Sequence, residues 1–145
     1  MRESKYKFVV ETDTGIEVTE SYYLKDLMDY VNVLSEYSAN EILHELQYTG
    51  LKDKNLDEIY EGDIVELFDV TMRGSMYGEN IVGEVVFFDA CFVVDRYDLR
   101  SYDCKVIGNI YENPELLYTN LKVTYYKLKH NDGKRQRVSR IFKQR

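Results

Sequence analysis

The chain has little of what usually staples a small protein. Among its 145 residues there is no tryptophan, one proline and two cysteines. Cys91 and Cys104 are too few for a disulfide framework, and they lack the spacing of a zinc site. The residues around both cysteines are typical of strands, so we interpret them as small strand residues. We therefore predict no disulfide and no structural metal.

Long apolar runs are also missing. No stretch approaches the roughly 18 residues that a membrane-spanning helix needs. The first residues contain no uninterrupted apolar segment, which argues against a secretory signal. Apolar residues still make up 44% of the chain, and a chain of this size buries roughly 68–70% of its unfolded surface. We expect a soluble, globular protein in the cytoplasm, with no membrane contact.

Recognisable ligand loops are absent as well. The segment from Asp53 to Asp57 resembles the first acidic positions of a calcium loop. The sixth position is Glu58 where a glycine is needed, and the twelfth is Ile64 where a bidentate glutamate is needed. A solvated loop with Asx turns is the simpler interpretation. The segment 73–78 is rich in glycine but lacks the Lys-Ser/Thr ending of a phosphate-binding loop.

No catalytic set can be assembled from the sequence. Acid–base chemistry needs two carboxyl groups in different environments, and no such contrast is visible among Glu58, Glu61, Asp63 and Glu66. His44 and His130 have no nucleophile signature around them. We therefore predict a protein that is not an enzyme, with no catalytic residue, no metal and no cofactor.

The N-terminal part of the chain predicts strands and helices. Two strands, residues 6–10 and 16–18, flank an Asp-Thr-Gly turn. Apolar residues then recur with helical spacing, at Leu24, Leu27, Met28, Val31 and Leu34. Ser38 followed by Glu41 has the form of a capping box. It predicts a second helix with Ile42, Leu43 and Leu46 on its buried side, although the chain could turn into a strand near Gln47.

The central part predicts a small β-structure. Short β-rich runs occupy residues 64–68, 83–88, 91–94 and 105–107, with a tight connection at Asp89-Ala90. Fourteen tyrosines fit half-buried sheet positions. This spacing favours an SH3-like barrel. The stretch 71–80 is predicted to be a loop, and Asn113-Pro114-Glu115 has the form of a helix start.

Charge is unevenly distributed along the chain. Residues 118–145 contain nine cations and one acid, a net charge of +8, whereas the first 117 residues contain ten cations and 25 acids, a net charge of −15. The basic segment also contains Asn131-Asp132-Gly133, a strong hairpin turn, between apolar residues. The pattern predicts a basic β-ribbon attached to an acidic body. Such a charge distribution bears on association with partners and not on the fold.

Two stretches of the sequence are long and unusual in composition. The first covers residues 47–55 (Gln-Tyr-Thr-Gly-Leu-Lys-Asp-Lys-Asn) and continues through 59–65, and the second covers 106–117. Together they resemble the YopX family, small proteins of phages and prophages in Gram-positive bacteria. The chain departs from the family in its opening strand, where only Lys7-Phe8 matches, and near Ala90, where the family usually has glycine. Relatives typically end soon after the position of Leu117. The resemblance implies a phage origin, and it carries over no activity and no catalytic residue.

These observations predict a mainly β, α+β fold with three parts. They are an N-terminal strand and helix portion (1–48), a YopX-like, SH3-like barrel (49–117) and a basic C-terminal β-ribbon (118–145). The expected function is an accessory phage protein, acting in the host cytoplasm through protein–protein binding or homo-oligomer assembly. A host or phage protein is another partner that the charge pattern fits.

Two other functions remain open. In the first, the ribbon binds nucleic acid, since phosphates attract clustered cations, but an acidic body would repel nucleic acid within roughly 8 Å. In the second, the acidic body is a decoy for a host DNA-binding protein. The candidate contacts for a partner or for nucleic acid are Lys127, Lys129, Lys134, Arg135, Arg137 and Arg140.

Overall fold

The chain folds into two five-stranded antiparallel sheets, described over residues 4–23, 27–71 and 76–117 of this computed structural model. The first sheet has the order β2-β1-β4-β5, and β3 also pairs with β1. Its strands are β1 (Lys5–Thr12), β2 (Gly15–Val18), β3 (Tyr22–Tyr23), β4 (Glu41–Lys52) and β5 (Glu58–Tyr60). The second sheet has the order β10-β6-β7-β8-β9. Its strands are β6 (Asp63–Thr71), β7 (Gly78–Phe88), β8 (Cys91–Val94), β9 (Tyr97–Asp98) and β10 (Cys104–Asn109). The predicted mainly β fold is confirmed.

The helix α1 (Leu27–Glu36) covers the first sheet, but with a different face from the one predicted. Met28 and Val31 are 61% and 52% exposed, whereas Val33 is fully buried. Tyr30 meets the Phe8 ring of β1 edge-on, with ring centroids 5.7 Å apart. The helix therefore packs on β1 through the face that contains Tyr30 and Val33. Two residues of the predicted apolar face, Met28 and Val31, are exposed to solvent.

The predicted second helix is wrong, because residues 41–52 form the longest strand of the described fold, β4. Ser38 has a φ of 50°, and the Ala39 amide donates to the Leu34 carbonyl at 2.8 Å. This turn ends α1, where the capping box predicted a helix start. The first half of β4 pairs with β1 and its second half with β5. Partners distant in sequence thus determine the strand, and β4 crosses the predicted boundary at 48/49.

The second sheet curls into half a barrel around a core that includes Val65, Leu67, Val85 and Val94. The predicted hairpin at Asp89-Ala90 is confirmed, since β7 and β8 pair from Phe88↔Cys91 onwards. Both turn residues have positive φ values, 51° and 63°, as in the type I′ turns that suit the twist of hairpins.

The connections differ from the sequence predictions in detail. Strand β6 extends to Thr71 and β7 begins at Gly78, so the predicted loop 71–80 is shorter than expected. Helical backbone begins at residues 115–117, as predicted. Asn113 was expected to cap this helix, but its side chain accepts a hydrogen bond from the Asn109 amide at 3.2 Å. The predicted ribbon, residues 118–145, lies outside the described residues.

Candidate functional site

A polar cleft of about 330 Å³ opens where the two sheets meet. Strand β1 and the loop after β2 form one side, and β5, β6 and β10 form the other. Within the described residues, its wall is rich in carboxylates and contains one lysine and one phenol. The charged and phenolic residues of the wall are Lys7, Glu20, Asp57, Glu58, Tyr60 and Asp63.

The loop that carries Asp57 and Glu58 to the cleft is built around Asp53. The Asp53 Oδ1 atom accepts hydrogen bonds from the amides of Asn55 and Asp57, each at 2.9 Å. Its Oδ2 atom accepts one from the Val106 amide of β10, also at 2.9 Å. Burial raises the pKa of Asp53, but the three amides outweigh burial and the pKa lies below its usual value. We call residues 53–58 the Asp53 loop; its predicted Asx geometry is confirmed.

A tight turn then brings Tyr60 and Asp63 to the cleft together. Gly62 has a φ of 87°, a conformation that favours glycine. Its amide donates to the Val85 carbonyl at 2.9 Å, and its carbonyl accepts from the Ile110 amide at 3.0 Å. The turn is closed by the Asp63 Oδ2 atom, which accepts from the Tyr60 amide at 2.8 Å. Both side chains are thereby held where the sheets meet.

Asp63 is an unusual carboxylate for a turn position. It is only 6% exposed, and burial raises its pKa to about 6, against smaller opposing effects from the Tyr60 amide and Lys7. A carboxylate in the interior normally recovers its lost hydration through several hydrogen bonds. Within the described residues, Asp63 accepts only the one from Tyr60. Asp63 therefore has acceptor capacity that the described fold does not use.

Tyr60 provides a second unused polar group. The residue is 1% exposed, yet among the described residues its hydroxyl has no hydrogen-bond partner. Burial raises the pKa of Tyr60; Ser21 lies close enough to oppose this, but without the geometry of a hydrogen bond. The Lys7 ammonium lies 4.7 Å from the centre of the Tyr60 ring. A buried hydroxyl without a partner is costly and uncommon in folded proteins.

An ion pair marks the rim of the cleft. The Lys5 ammonium donates to both carboxylate oxygens of Glu58, at 2.8 and 2.7 Å. This hydrogen bond is the main cause that raises the pKa of Lys5 to about 12. Lys7 forms no such pair within the described part of the chain. Glu58 is therefore in an ion pair with a lysine, whereas Asp63, deeper in the cleft, forms none within the described residues.

The structure corrects one prediction about these carboxylates. No contrast of environment was expected among Glu58, Glu61, Asp63 and Glu66, yet Asp63 is buried and its burial raises its pKa to about 6. The sequence contained a signal for its turn, Glu61-Gly62-Asp63, but none for its burial. Burial depends on β10 and β1, which lie far from Asp63 in sequence. Tyr60 was missed for the same reason.

The remaining candidates from the sequence stay apart from the cleft or outside the described residues. All six basic candidates lie in 118–145, beyond the described part of the chain. His44 lies 5.4 Å from the Tyr111 ring, centroid to centroid, and burial raises the pKa of the Cys104 thiol. No group of three metal-binding side chains occurs within residues 4–23, 27–71 and 76–117. None of the helices in those ranges is long and apolar enough to cross a bilayer.

Comparison with known proteins identifies relatives of the chain. A family described as "YopX protein" matches residues 2–118, most of the sequence. A crystal structure of protein EF1440 from Enterococcus faecalis is 27% identical in sequence. The alignment covers 77% of this chain and 74% of that chain, with a TM-score of 0.39. No curated protein matches the chain.

Proposed function

The chain belongs to the YopX family, and from that premise we propose that it is a non-enzymatic accessory protein of a phage or prophage. It acts in the cytoplasm of the host bacterium by binding protein, foremost by assembling with copies of itself. In this proposal the curled second sheet serves as an SH3-like barrel. The basic segment 118–145 forms a ribbon that binds the acidic body of a neighbour.

The segregation of charge is the observation that carries this proposal. The first 117 residues have a net charge of −15 and the last 28 have +8. Opposite charges on two parts of one chain are complementary between copies, which accelerates their encounter and fixes their orientation. Self-complementary surfaces of this kind close most readily into symmetric oligomers. The proposed contacts of the segment are Lys127, Lys129, Lys134, Arg135, Arg137 and Arg140.

Equal charge changes in the two parts of the chain test the proposal. The first variant carries Lys134, Arg135 and Arg137 changed to Gln, and its control carries Lys52, Arg96 and Lys105 of the body changed to Gln. Both variants reach the same net charge. We expect sedimentation equilibrium at low salt to show a smaller mass for the first variant only. An unchanged mass for the first variant, or an equal loss for both, would contradict the proposal.

The alternative function is binding of nucleic acid by the same segment. The tyrosines and the phenylalanine interleaved with its cations favour this alternative, since aromatic rings stack on exposed bases; they are Tyr125, Tyr126 and Phe142. Binding to duplex and single-stranded DNA, measured across a salt series, separates the two functions. Phosphate contacts require an affinity that falls steeply with added salt. Weak binding with an affinity that does not change with salt concentration would exclude the nucleic-acid function, and assembly would remain.

A further inference from the structure

The cleft between the sheets has the chemistry of a site for a cation. Four of its wall residues are carboxylates, whereas Lys7 is the single lysine of that wall in the described chain. Glu58 at the rim is already paired with Lys5 at 2.7 Å. Asp63, deeper in the cleft, has no ion pair within the described residues. A positively charged guest would therefore meet a carboxylate whose neighbouring cation, Lys7, forms no ion pair with it within the described residues.

The Tyr60 hydroxyl is a second observation that points to a guest, and it is independent of charge. It is enclosed by protein and has no hydrogen-bond partner among the described residues. Tyr60 lines the cleft together with Ser21 and Glu58, two residues that act on its phenol. A phenol oxygen accepts a hydrogen bond from an N–H donor. An ammonium or guanidinium group supplies several such donors at once.

The C-terminal end of the described chain is attached to a strand that lines this cleft. Gly108 and Asn109 of β10 line it, and the Asn109 amide donates to the Asn113 side chain at 3.2 Å. An added Cβ at Gly108 would lie 2.6 Å from Asn113 Oδ1, so the two segments are in close contact. Leu117, the last described residue, is buried. Asn113, four residues before the end of the described chain, thus contacts a strand that lines the cleft.

We infer that the cleft receives a lysine or arginine side chain from the basic segment, residues 118–145, of a second copy of this chain. The inference rests on the proposed function and names the surface that the segment binds. Asp63 would accept from the guest cation, and the Tyr60 oxygen would accept a second N–H. A two-fold dimer makes each contact twice. The segment of each copy would then occupy the cleft of its partner.

A complementation experiment with two full-length variants tests the exchange. The cleft variant carries Tyr60→Phe and Asp63→Asn, which keep the ring and an oxygen acceptor for the Tyr60 amide. The segment variant carries Lys134, Arg135 and Arg137 changed to Gln. A matched control carries Tyr102→Phe and Asp89→Asn, the same two changes away from the cleft; asparagine tolerates the positive φ at position 89. Each protein is labelled with donor or acceptor dye, and association is measured by energy transfer.

We expect each variant alone to associate about tenfold or more weakly than the wild type, since a desolvated charge pair has lost one partner. The control should associate like the wild type. Mixing the two variants should restore transfer, because the intact segment of one meets the intact cleft of the other. Thermal melts of the cleft variant at or above the wild-type midpoint would exclude misfolding as the cause. Should its melt be lower, the single variant Tyr60→Phe replaces it.

The other outcomes overturn the inference in distinguishable ways. If the cleft variant assembles like the wild type while the segment variant does not, the cleft is not the acceptor and the proposed function survives. If both fail alone and the mixture also fails, segment and cleft do not exchange between copies. If the segment variant still assembles fully, or the wild type is a monomer, the proposed function falls together with the inference.

Discussion

The Asp53 loop and the cleft each contain a buried aspartate, and the two carboxylates are in opposite situations. Asp53 accepts three backbone hydrogen bonds, two from its own loop and one from β10, and its pKa is lowered. Among the described residues, Asp63 accepts one, and its pKa is raised to about 6. The fold uses the first carboxylate fully and the second only in part. The two side chains are similarly buried. The number of backbone hydrogen bonds therefore distinguishes a structural carboxylate from one that is available to a partner.

Removing the Asp53 carboxylate should have the largest effect of the changes that break this comparison. In Asp53→Ala the amides of Asn55, Asp57 and Val106 lose their acceptor. At roughly 1 kcal/mol for each amide, we expect the free energy of unfolding to fall by about 3 kcal/mol. Urea unfolding followed by circular dichroism measures this loss. The exposed Asp103→Ala should change it by less than about 0.5 kcal/mol; equal losses would contradict a specific role for Asp53.

Neutralising Asp63 should have the opposite sign. Asp63→Asn keeps an oxygen for the Tyr60 amide and removes a charge that burial disfavours, although its new N–H₂ group also needs partners. We expect the free energy of unfolding at pH 7 to rise by about 1–2 kcal/mol. Urea unfolding at pH 7 measures the change. A loss of stability would show that the Asp63 charge is already compensated within the chain.

The same two aspartates predict opposite dependence on pH. The pKa of Asp63 is raised from 3.8 to about 6, so the native state holds this proton more tightly than the unfolded state. Its contribution is complete below about pH 3.8 and is lost as the pH rises through 6, up to about 3 kcal/mol. The contribution of Asp53, whose pKa is lowered, is present above 3.8 and lost on further acidification. The difference between wild type and Asp63→Asn across pH 4–7 isolates the first effect, and a constant difference would contradict it.

Removing the Tyr60 hydroxyl should have the smallest effect on the isolated protein. Tyr60→Phe deletes a buried oxygen without a partner among the described residues and keeps the ring below Lys7. We expect the free energy of unfolding to rise by about 1 kcal/mol, measured as an increase in melting temperature. A lower melting temperature would show that the hydroxyl is hydrogen-bonded. Together with the association measurements, a gain in stability with a loss of binding is the behaviour typical of a functional site.

Local signals in the sequence predicted the parts of the fold that depend on neighbouring residues. The turn between β1 and β2, the hairpin at Asp89-Ala90 and the presence of α1 all follow from residues within a few positions. The second helix failed because Ser38 to Glu41 fits a capping box as well as a turn into a strand. Only the pairing of β4 with β1 and β5 decides between them. The prediction of the buried face of α1 was wrong for a similar reason, because that face depends on packing against Phe8, which is distant in sequence.

The candidate site follows the same division. The Asx geometry of Asp53 could be predicted because two of its three amide donors lie within four residues. The burial of Asp63 and Tyr60 could not, because β1, β6 and β10 meet there from distant parts of the chain. The six basic candidate residues of segment 118–145 were identified from the charge composition of the sequence alone. Composition predicts that the segment seeks an acidic surface, but only the folded cleft indicates where on the body a cation would bind.

Strand β4 has a consequence for how the protein loses its structure. One continuous backbone pairs with β1 at its start and with β5 near its end, and Leu51 within it packs on the core of the second sheet. Unfolding of either sheet would therefore remove contacts that β4 makes with the other sheet. We expect a single calorimetric transition, and amides on both sides of residue 48 that exchange with solvent at the same global rate.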